Sequence, residues 1–130
     1  MVTNSNYIKL KHAEITHYQE NIYVLTFEDD YEVELEDAIE IDKAFIKITN
    51  YTKFSVIVDA RDKFSSITND ARNFFANDPE IIPIREKIAI VVNNMPTKIL
   101  ANFFMRFNRP QTPTKVFNNL EEAVKWLSNN

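Results

Sequence analysis

Charged and hydroxyl side chains cluster directly after the apolar segment Phe54–Val58. The cluster comprises Asp59, Arg61, Asp62, Ser65, Ser66 and Thr68. Hydroxyls beside the free amides of a helix start can bind an anion or receive a phosphoryl group. Asn93 and Asn94 end a second apolar segment, so we expect them at the same edge of a sheet. The other interpretation is structural: Asp59 pairs with Arg61 or Arg72, and Thr68 caps a helix.

A second set of polar residues recurs at helical spacing. Lys98, Asn102 and Arg106 are four residues apart and share one helix face, and Arg109 follows them. Such a basic stripe can dock a phosphate, an acidic lipid headgroup or an acidic protein. A helix face that only contacts water has the same pattern, so both interpretations stay open.

Charge is segregated along the chain. The segment Glu28–Asp42 holds nine acidic residues and no basic one, whereas Arg85–Lys115 holds six basic residues and one acidic residue. This separation can steer self-association or attract a charged partner, although acids at a helix start explain part of it. The net charge of −4 provides no basic footprint for nucleic acid.

The composition excludes several kinds of site. The chain has no glycine, so a P-loop, a dinucleotide-binding fingerprint and a nucleophile elbow cannot occur in their standard forms. It has no cysteine, which rules out disulfides, thiol catalysis and Cys-ligated metal. His12 and His17 fall on opposite faces of a predicted strand and do not indicate a metal site. We therefore predict no catalytic residue, no metal and no cofactor.

Two apolar segments position the polar residues. Phe54–Asp59 and Lys87–Asn93 are apolar on both faces and rich in β-branched residues, as is typical of central strands in a parallel sheet covered by helices. Ligands and partners meet such sheets at the carboxyl ends of the strands. The innermost side chains are predicted to be almost wholly buried: Val56, Val58, Ile90 and Val92.

The rest of the pattern predicts an α/β fold. Tyr7–Tyr18 changes the parity of its apolar positions, which predicts a bulge or a strand that starts near Lys11. It forms an antiparallel hairpin with Ile22–Phe27, and a short strand follows near Tyr31. Helices and strands then alternate, with helices at Leu35–Ile48, from about residue 66 or 68 to 77, from Pro96, and near the carboxyl end. The predicted architecture is a mixed sheet of about five strands with an N-terminal antiparallel hairpin, crossover helices and a C-terminal helix.

We expect one domain over residues 1–130, with residues 1–6 frayed. No apolar run approaches the ~20 residues that span a membrane, and no secretion signal is evident, so the sequence favours the cytoplasm.

Two predicted helices carry many large apolar side chains. On Leu35–Ile48, Ile39 and Ile46 are seven residues apart and lie on one flank. Pairing this flank between two copies would bury it, which predicts a homodimer, unless another part of the same chain covers it. The helix from Pro96 carries five large apolar side chains, which are predicted to fill the core or to line a lipid-sized pocket: Ile99, Leu100, Phe103, Phe104 and Phe107.

The order of elements and several phrases resemble the STAS (SpoIIAA-like) fold of anti-sigma-factor antagonists. The likeness is to the bacterial branch of uncharacterised STAS/Sec14-like small proteins and covers residues 54–127. The phrases are VIVDAR (Val56–Arg61), DARNFFA (Asp70–Ala76), KIAIVVNN (Lys87–Asn94), LANFFMRFNRPQTPTKVF (Leu100–Phe117) and EEAVKWL (Glu121–Leu127). The first 50 residues match only in the order of their elements.

The resemblance implies a non-catalytic regulatory or protein-interaction module, as a homodimer or with another protein. The likeness to Sec14-like proteins implies an alternative, a small carrier for an apolar or lipid-like ligand. Such a carrier needs a pocket of roughly 300–1,000 Å³. An enzyme with an unrecognised cleft near Asp59 and Asn93 is the third and least favoured reading, and an anionic ligand is a further option. Antagonists that switch by phosphorylation carry an Asp-Ser-Ser-Gly phrase after the central strand. This chain reads DKFSSITND there, so that switch does not carry over.

Overall fold

A seven-stranded mixed sheet lies at the centre of the computed structural model, which describes residues 2–4 and 6–129. The strands are β1 (Val2–Asn4), β2 (Tyr7–Lys9), β3 (Ala13–Gln19), β4 (Ile22–Phe27), β5 (Glu32–Val33), β6 (Phe54–Asp59), β7 (Ser66–Ile67), β8 (Arg85–Val91) and β9 (Thr114–Phe117). The sheet order is β1-β2-β3-β4-β6-β8-β9, and β5 and β7 form a separate parallel pair. Pairing is antiparallel from β1 to β4 and parallel from β4 to β9.

Within the described residues, four α-helices connect or follow these strands. They are α1 (Leu35–Ile48), α2 (Asn69–Asn77), α3 (Met95–Phe103) and α4 (Leu120–Ser128). A π-helical turn, Phe104–Asn108, continues α3. The last three α-helices each begin at a side-chain cap, provided by Thr68, Asn94 and Asn119. These caps accept hydrogen bonds from backbone amides that the helix cannot satisfy, which explains where the helices start.

The helices cover the sheet on both faces. Buried residues of α1, α2 and α3, such as Ile41, Ala71 and Ala101, join one large cluster with the sheet. On the opposite face Ala123 and Leu127 of α4 form a second, smaller cluster. The central strands β6 and β8 are therefore buried on both sides, which explains why their sequences do not alternate. The α/β fold class that the sequence predicts is confirmed.

The central strands pair in parallel, with Val56 beside Ile88 and Val58 beside Ile90. Val56, Ile90 and Val92 are buried, as predicted, although Val92 lies just after β8. Val58 is only partly buried, which differs from the prediction. The reason is that Val58 forms part of the wall of a cleft.

The first part of the chain contains more strands than the sequence indicates. The segment Tyr7–Tyr18, predicted to contain a bulge or a strand start near Lys11, is divided at that point into β2 and β3, which pair with each other. Residues 1–6 are predicted to be frayed, but residues 2–4 form β1; Met1 and Ser5 lie outside the described residues. The sheet therefore has seven strands instead of about five. The short strand near Tyr31 is β5, which pairs with β7 and not with the main sheet.

Tight turns in this chain use residues other than glycine. Six of the described residues have a positive φ, between 47° and 58°: Glu20, Asp30, Asn50, Tyr51, Asp62 and Arg109. Asn and Asp adopt this left-handed conformation more readily than other non-glycine residues. The three remaining positions, Glu20, Tyr51 and Arg109, hold it at some cost in backbone strain.

The partial burial of Val58 can be tested with a matched pair of substitutions. Val56→Ala should lower the free energy of unfolding by about 2–3 kcal/mol, because it removes fully packed methyl groups. Val58→Ala should cost clearly less, since its side chain already borders open space. Urea unfolding followed by circular dichroism measures both values. Equal losses would show that Val58 is as tightly packed as Val56.

Candidate functional site

A cleft of about 110 Å³ lies between the sheet and helices α1, α2 and α3. It is open to solvent on one side. Most of its wall is apolar, and the apolar lining consists of Leu25, Phe27, Phe45, Val56, Val58, Ala60, Ile67, Phe75, Ile88, Ile90, Leu100, Ala101 and Phe104. The cleft is much smaller than the roughly 300 Å³ at which drug-sized ligand pockets begin. It is closer to an engineered apolar cavity of about 150 Å³ that binds benzene.

Two buried ionisable side chains contribute to the wall of this cleft. Asp42 projects from α1 and is 2% exposed; Arg85 begins β8 and is 6% exposed. A third, Asp78, follows the carboxyl end of α2 and is equally buried. The side-chain oxygen Oδ2 of Asp42 has no hydrogen-bond partner. Every other buried side-chain nitrogen or oxygen in the described part of the chain has one.

Arg85 is held by neutral groups. Its Nε donates to Thr112 Oγ1 at 3.0 Å, and its Nη2 donates to the carbonyl oxygen of Phe75 at 2.7 Å. Phe75 lies in the last turn of α2, where carbonyl groups lack helical partners and the helix dipole is negative. A guanidinium at this position therefore satisfies a carbonyl group and places its positive charge where the dipole favours it.

The carboxyl groups of Asp42 and Asp78 interact directly. Burial raises the pKa of Asp42 well above its usual value, and the hydrogen bond with Asp78 raises it further. The positive charge of Arg85 opposes this shift. Burial also lowers the pKa of Arg85, against the charges of Asp42 and Asp78. Asp42 therefore keeps its proton to a higher pH than an exposed aspartate does.

The predicted loop residues lie together at the carboxyl ends of β6 and β8. Arg61 donates twice to Asp59, from Nε and Nη2 at 2.9 Å each. These bonds lower the pKa of Asp59, although its partial burial opposes the shift. Asn93 accepts from the backbone of Asp62 and donates to its side chain, both at 2.9 Å. The charged and amide groups of the loop thus bind each other, and the ion pair that the sequence allows is the Asp59–Arg61 pair.

The hydroxyl groups of the same loop differ in their surroundings. Ser65 donates to the carbonyl oxygen of Glu28, and Thr68 accepts from the amide of Ala71 as the cap of α2. Ser66 lies in β7 and is exposed. Asn94 caps α3, and its side-chain amide also donates to Asn93 Oδ1 at 3.5 Å. Phosphorylation or anion binding at this loop remains a prediction, and Ser66 is its most accessible hydroxyl-bearing residue.

The basic stripe lies on the outside of α3 and its π-helical continuation. Lys98, Asn102, Arg106 and Arg109 are all exposed. Arg106 lies in the π-helical turn, and its guanidinium stands 5.9 Å from the centre of the Phe107 ring. Arg109 ends the turn in the left-handed conformation. The stripe therefore does not follow a regular α-helical face beyond Phe103.

Large apolar side chains are exposed beside this stripe. Met95, Ile99, Phe103 and Phe107 are between 40% and 65% exposed. The sequence predicts all five large apolar residues of this helix to be core or pocket residues, but only Leu100 and Phe104 face the cleft. The prediction is wrong for Ile99, Phe103 and Phe107, because the π-helical turn and the narrow cleft leave no room for them inside.

The predicted self-association flank on α1 is largely covered within the chain. Ile39 and Ile46 are partly buried, and Ile46 packs against the main core cluster. Neither belongs to the exposed apolar residues of the described chain. Dimerisation through these residues stays a prediction, and α3 offers the larger exposed apolar surface.

Comparison with known proteins identifies a family. A family model described as a domain of unknown function, DUF7793, matches residues 16–130. The chain belongs to this family. No curated protein matches it.

The fold of this DUF7793 chain also has a solved counterpart. The crystal structure of an uncharacterized protein of the DUF3478 family from Shewanella loihica PV-4, described as having a SpoIIAA-like fold, is similar over 98% of both chains. The TM-score is 0.55 and the sequence identity is 12%. The SpoIIAA-like fold that the sequence predicts is confirmed.

The described part of the DUF7793 chain offers no group of three or more histidine, aspartate or glutamate side chains that could hold a metal ion. His12 stacks on Tyr31 and pairs with Glu28, whereas His17 bonds to the backbone of Glu20. None of the described helices is both long and apolar enough to cross a membrane.

The buried cluster of Asp42, Asp78 and Arg85 was not predicted from the sequence. A signal was available, because Asp42 falls on the apolar face of α1, four residues after Ala38 and three before Phe45. A carboxylate at such a position is either paired or neutral. Its partners come from segments that are distant in the sequence, and the sequence alone does not name them.

The protonated state of Asp42 predicts a pH-dependent effect of Asp42→Asn. The unfolded chain releases the Asp42 proton near pH 4, whereas the folded protein retains it to higher pH. Stability of the unmodified protein therefore falls as the pH rises above about 4 toward the raised pKa. The Asp42→Asn side chain cannot ionise, so the variant does not lose stability in this way as the pH rises. Its side-chain amide can still donate a hydrogen bond to Asp78. The variant should be more stable by about 1–3 kcal/mol at neutral pH, with a smaller gain near pH 4.

Urea unfolding between pH 4 and pH 8 measures this difference. Glu40→Gln, on the exposed side of the same helix, is the matched control and should show little change with pH. If Asp42→Asn destabilises the protein equally at every pH, Asp42 is a charged structural residue and this assignment is wrong.

Proposed function

We propose that this protein is a non-catalytic regulatory module in which helix α3 connects a small-ligand cleft to a protein-binding face. The observation that carries this proposal is the position of α3. Its inner residues, Leu100 and Ala101, line the cleft, and its outer residues, Ile99 and Phe103, are exposed. A ligand in the cleft and a partner on the outside therefore contact one element, and binding of either can change the affinity for the other.

The size of the cleft favours this function over a lipid carrier. A cleft of about 110 Å³ takes one small ring or a short alkyl chain. A carrier that encloses a lipid-like ligand needs several times that volume. An enzyme is less well supported, because Asp59, Ser65 and Thr97 at the cleft are engaged in hydrogen bonds within the chain.

The outer face of α3 fits an acidic protein partner with an apolar surface. No acidic residue occurs from Lys87 to Leu120, and Lys98 and Arg106 flank the exposed apolar side chains. A symmetric contact between two copies of this face would bring like charges together. Complementary charge therefore favours a different protein over a second copy of the chain.

Toluene tests the cleft. Titration of the protein with toluene should shift the methyl NMR signals of Val58, Ile90 and Leu100 in a saturable manner. Ala101→Leu should abolish these shifts and raise the free energy of unfolding by about 1 kcal/mol, because it fills empty space. Val124→Leu, on the opposite face of the sheet, is the control and should bind like the unmodified protein. Toluene binding that survives Ala101→Leu would place the ligand elsewhere.

Photo-crosslinking in the host cell tests the face of α3. A photo-reactive residue in place of Ile99 should capture a protein through an acidic segment, whereas the same residue in place of Tyr51, exposed on another surface, should not. With the purified partner, Ile99→Glu should weaken binding at least about tenfold. Crosslinks only to lipid, only to a second copy, or equally at both positions would contradict the proposed partner.

A further inference from the structure

Exposed apolar side chains form a row along the outer side of α3 and its π-helical turn. The members of this apolar row are four residues apart: Met95, Ile99, Phe103 and Phe107. The row continues through the turn, because the rings of Phe103 and Phe107 lie with their centres 4.4 Å apart. Lys98 and Asn102 of the basic stripe are also exposed and share this spacing beside the row. Rows with a spacing of four residues are the ridges of a helix surface, and a ridge of a second helix packs into the groove between them.

We propose that this groove binds an amphipathic α-helix with acidic side chains, contributed by a different protein. The inference rests on the proposed protein-binding function of α3 and adds the structural class of the bound segment. The apolar side chains of that segment pack on the apolar row, and its acidic side chains lie beside Lys98 and Arg106.

The backbone of α3 favours a helical partner over an extended one. Its N–H and C=O groups are bonded within the helix except at the ends, so the outer flank offers a partner side chains only. An extended segment laid along the apolar row has no strand edge to pair with, and burial leaves some of its N–H and C=O groups without partners. A helix satisfies its own backbone and brings only side chains into the contact.

The charge beside the apolar row selects an acidic helix. Lys98 precedes Ile99, and the guanidinium of Arg106 stands 5.9 Å from the centre of the Phe107 ring. Within the described residues, neither Lys98 nor Arg106 forms an ion pair. No residue from Lys87 to Leu120 is acidic, so a basic partner finds no compensating charge in this part of the sequence.

A second copy of the chain does not supply such a helix. Among the described helices, only α3 and its π-helical turn expose large apolar side chains, and bases accompany them. The acidic residues Glu36 and Glu40 of α1 are exposed, but Ile41 and Phe45 of the same helix are buried. The acids and the apolar side chains of α1 therefore cannot contact one partner together.

A lipid surface fits the same residues less well. Amphipathic helices that lie on membranes gain much of their affinity from attraction to anionic lipids. The net charge of −4 opposes that attraction for the protein as a whole. Binding to anionic vesicles is therefore an outcome that contradicts the proposed partner.

Selection from a peptide library tests the class of the bound segment. The probe is a phage-displayed library of random peptides of about 16 residues, which is enough for roughly four helical turns. The library is selected on the unmodified protein and depleted on the Ile99→Glu variant. Enriched peptides should carry apolar residues three or four positions apart, together with aspartate or glutamate. The tightest peptide should become helical on binding, as measured by its carbon chemical shifts, and should shift the methyl signals of Ile99.

Charge reversal tests the role of the bases. Lys98→Glu combined with Arg106→Glu should weaken binding of the selected peptide at least about tenfold, and a peptide with lysine in place of its acids should restore the affinity. Lys125→Glu, at an exposed position of α4 on the opposite face of the sheet, is the matched control and should bind like the unmodified protein. All three positions are exposed, so we expect these variants to fold, as circular dichroism will show.

The outcomes distinguish this inference from the proposed function. Basic peptides, peptides with alternating apolar residues, or peptides that bind without forming a helix would overturn the acidic helical partner. The same holds if no peptide is enriched, or if the protein binds phosphatidylglycerol vesicles and the double charge reversal abolishes that binding. In each of these cases, capture of an acidic protein by photo-crosslinking at Ile99 would leave the proposed function intact. If the crosslinks also fail, the inference and the protein-binding function are both wrong.

Discussion

Burial of the Arg85 guanidinium is the constraint on which the arrangement of helices over the sheet depends. A buried cation is tolerated only when hydrogen bonds and opposite charge compensate its lost hydration. Here the compensation comes from three parts of the chain: the end of α2 with Asp78 directly after it, the loop at Thr112, and the carboxyl group of Asp42 in α1. Each must stay close to the start of β8. The cleft is the space that remains between this polar cluster and α3.

The π-helical turn determines which side chains of α3 face this space. Asn108, the last residue of the turn, is buried and accepts from Arg72 Nε at 3.0 Å, while its amide donates to Asn73 at 2.7 Å. These bonds attach the turn to α2. The wider winding directs Phe104 inward and leaves Phe103 and Phe107 outside, with ring centres 4.4 Å apart. Such turns within helices are frequent at functional sites.

The parts of the fold that depend on local sequence could be predicted. Helix α1 follows from its apolar period, α2 from the Thr68 cap and Pro79, and the two central strands from their β-branched runs. What could not be predicted depends on contacts between distant segments. Strand β1, the pairing of β5 with β7 and the π-helical turn have no local signature.

The same distinction applies to the candidate site. The loop after β6 was identifiable because both central strands end there with polar residues. The proximity of Asp42, Asp78 and Arg85 was not, since three elements must first pack before these residues meet. Likewise, the spacing of Ile99, Phe103 and Phe107 indicates an apolar helix face but does not show whether anything within the chain covers it.

The absence of glycine has a consequence for the unfolded chain as well as for the turns. Left-handed backbone at Glu20, Tyr51 and Arg109 costs roughly 1–2 kcal/mol per residue in the folded protein. Glycine at these positions would avoid that strain, but it would give the denatured ensemble more conformations to lose on folding, at about 0.5–1 kcal/mol each. The two effects oppose each other and are of similar size. In this protein, the restricted conformations of the denatured chain therefore offset part of the cost of the tight turns. This contribution belongs to the denatured state, so the contacts of the folded structure do not show it.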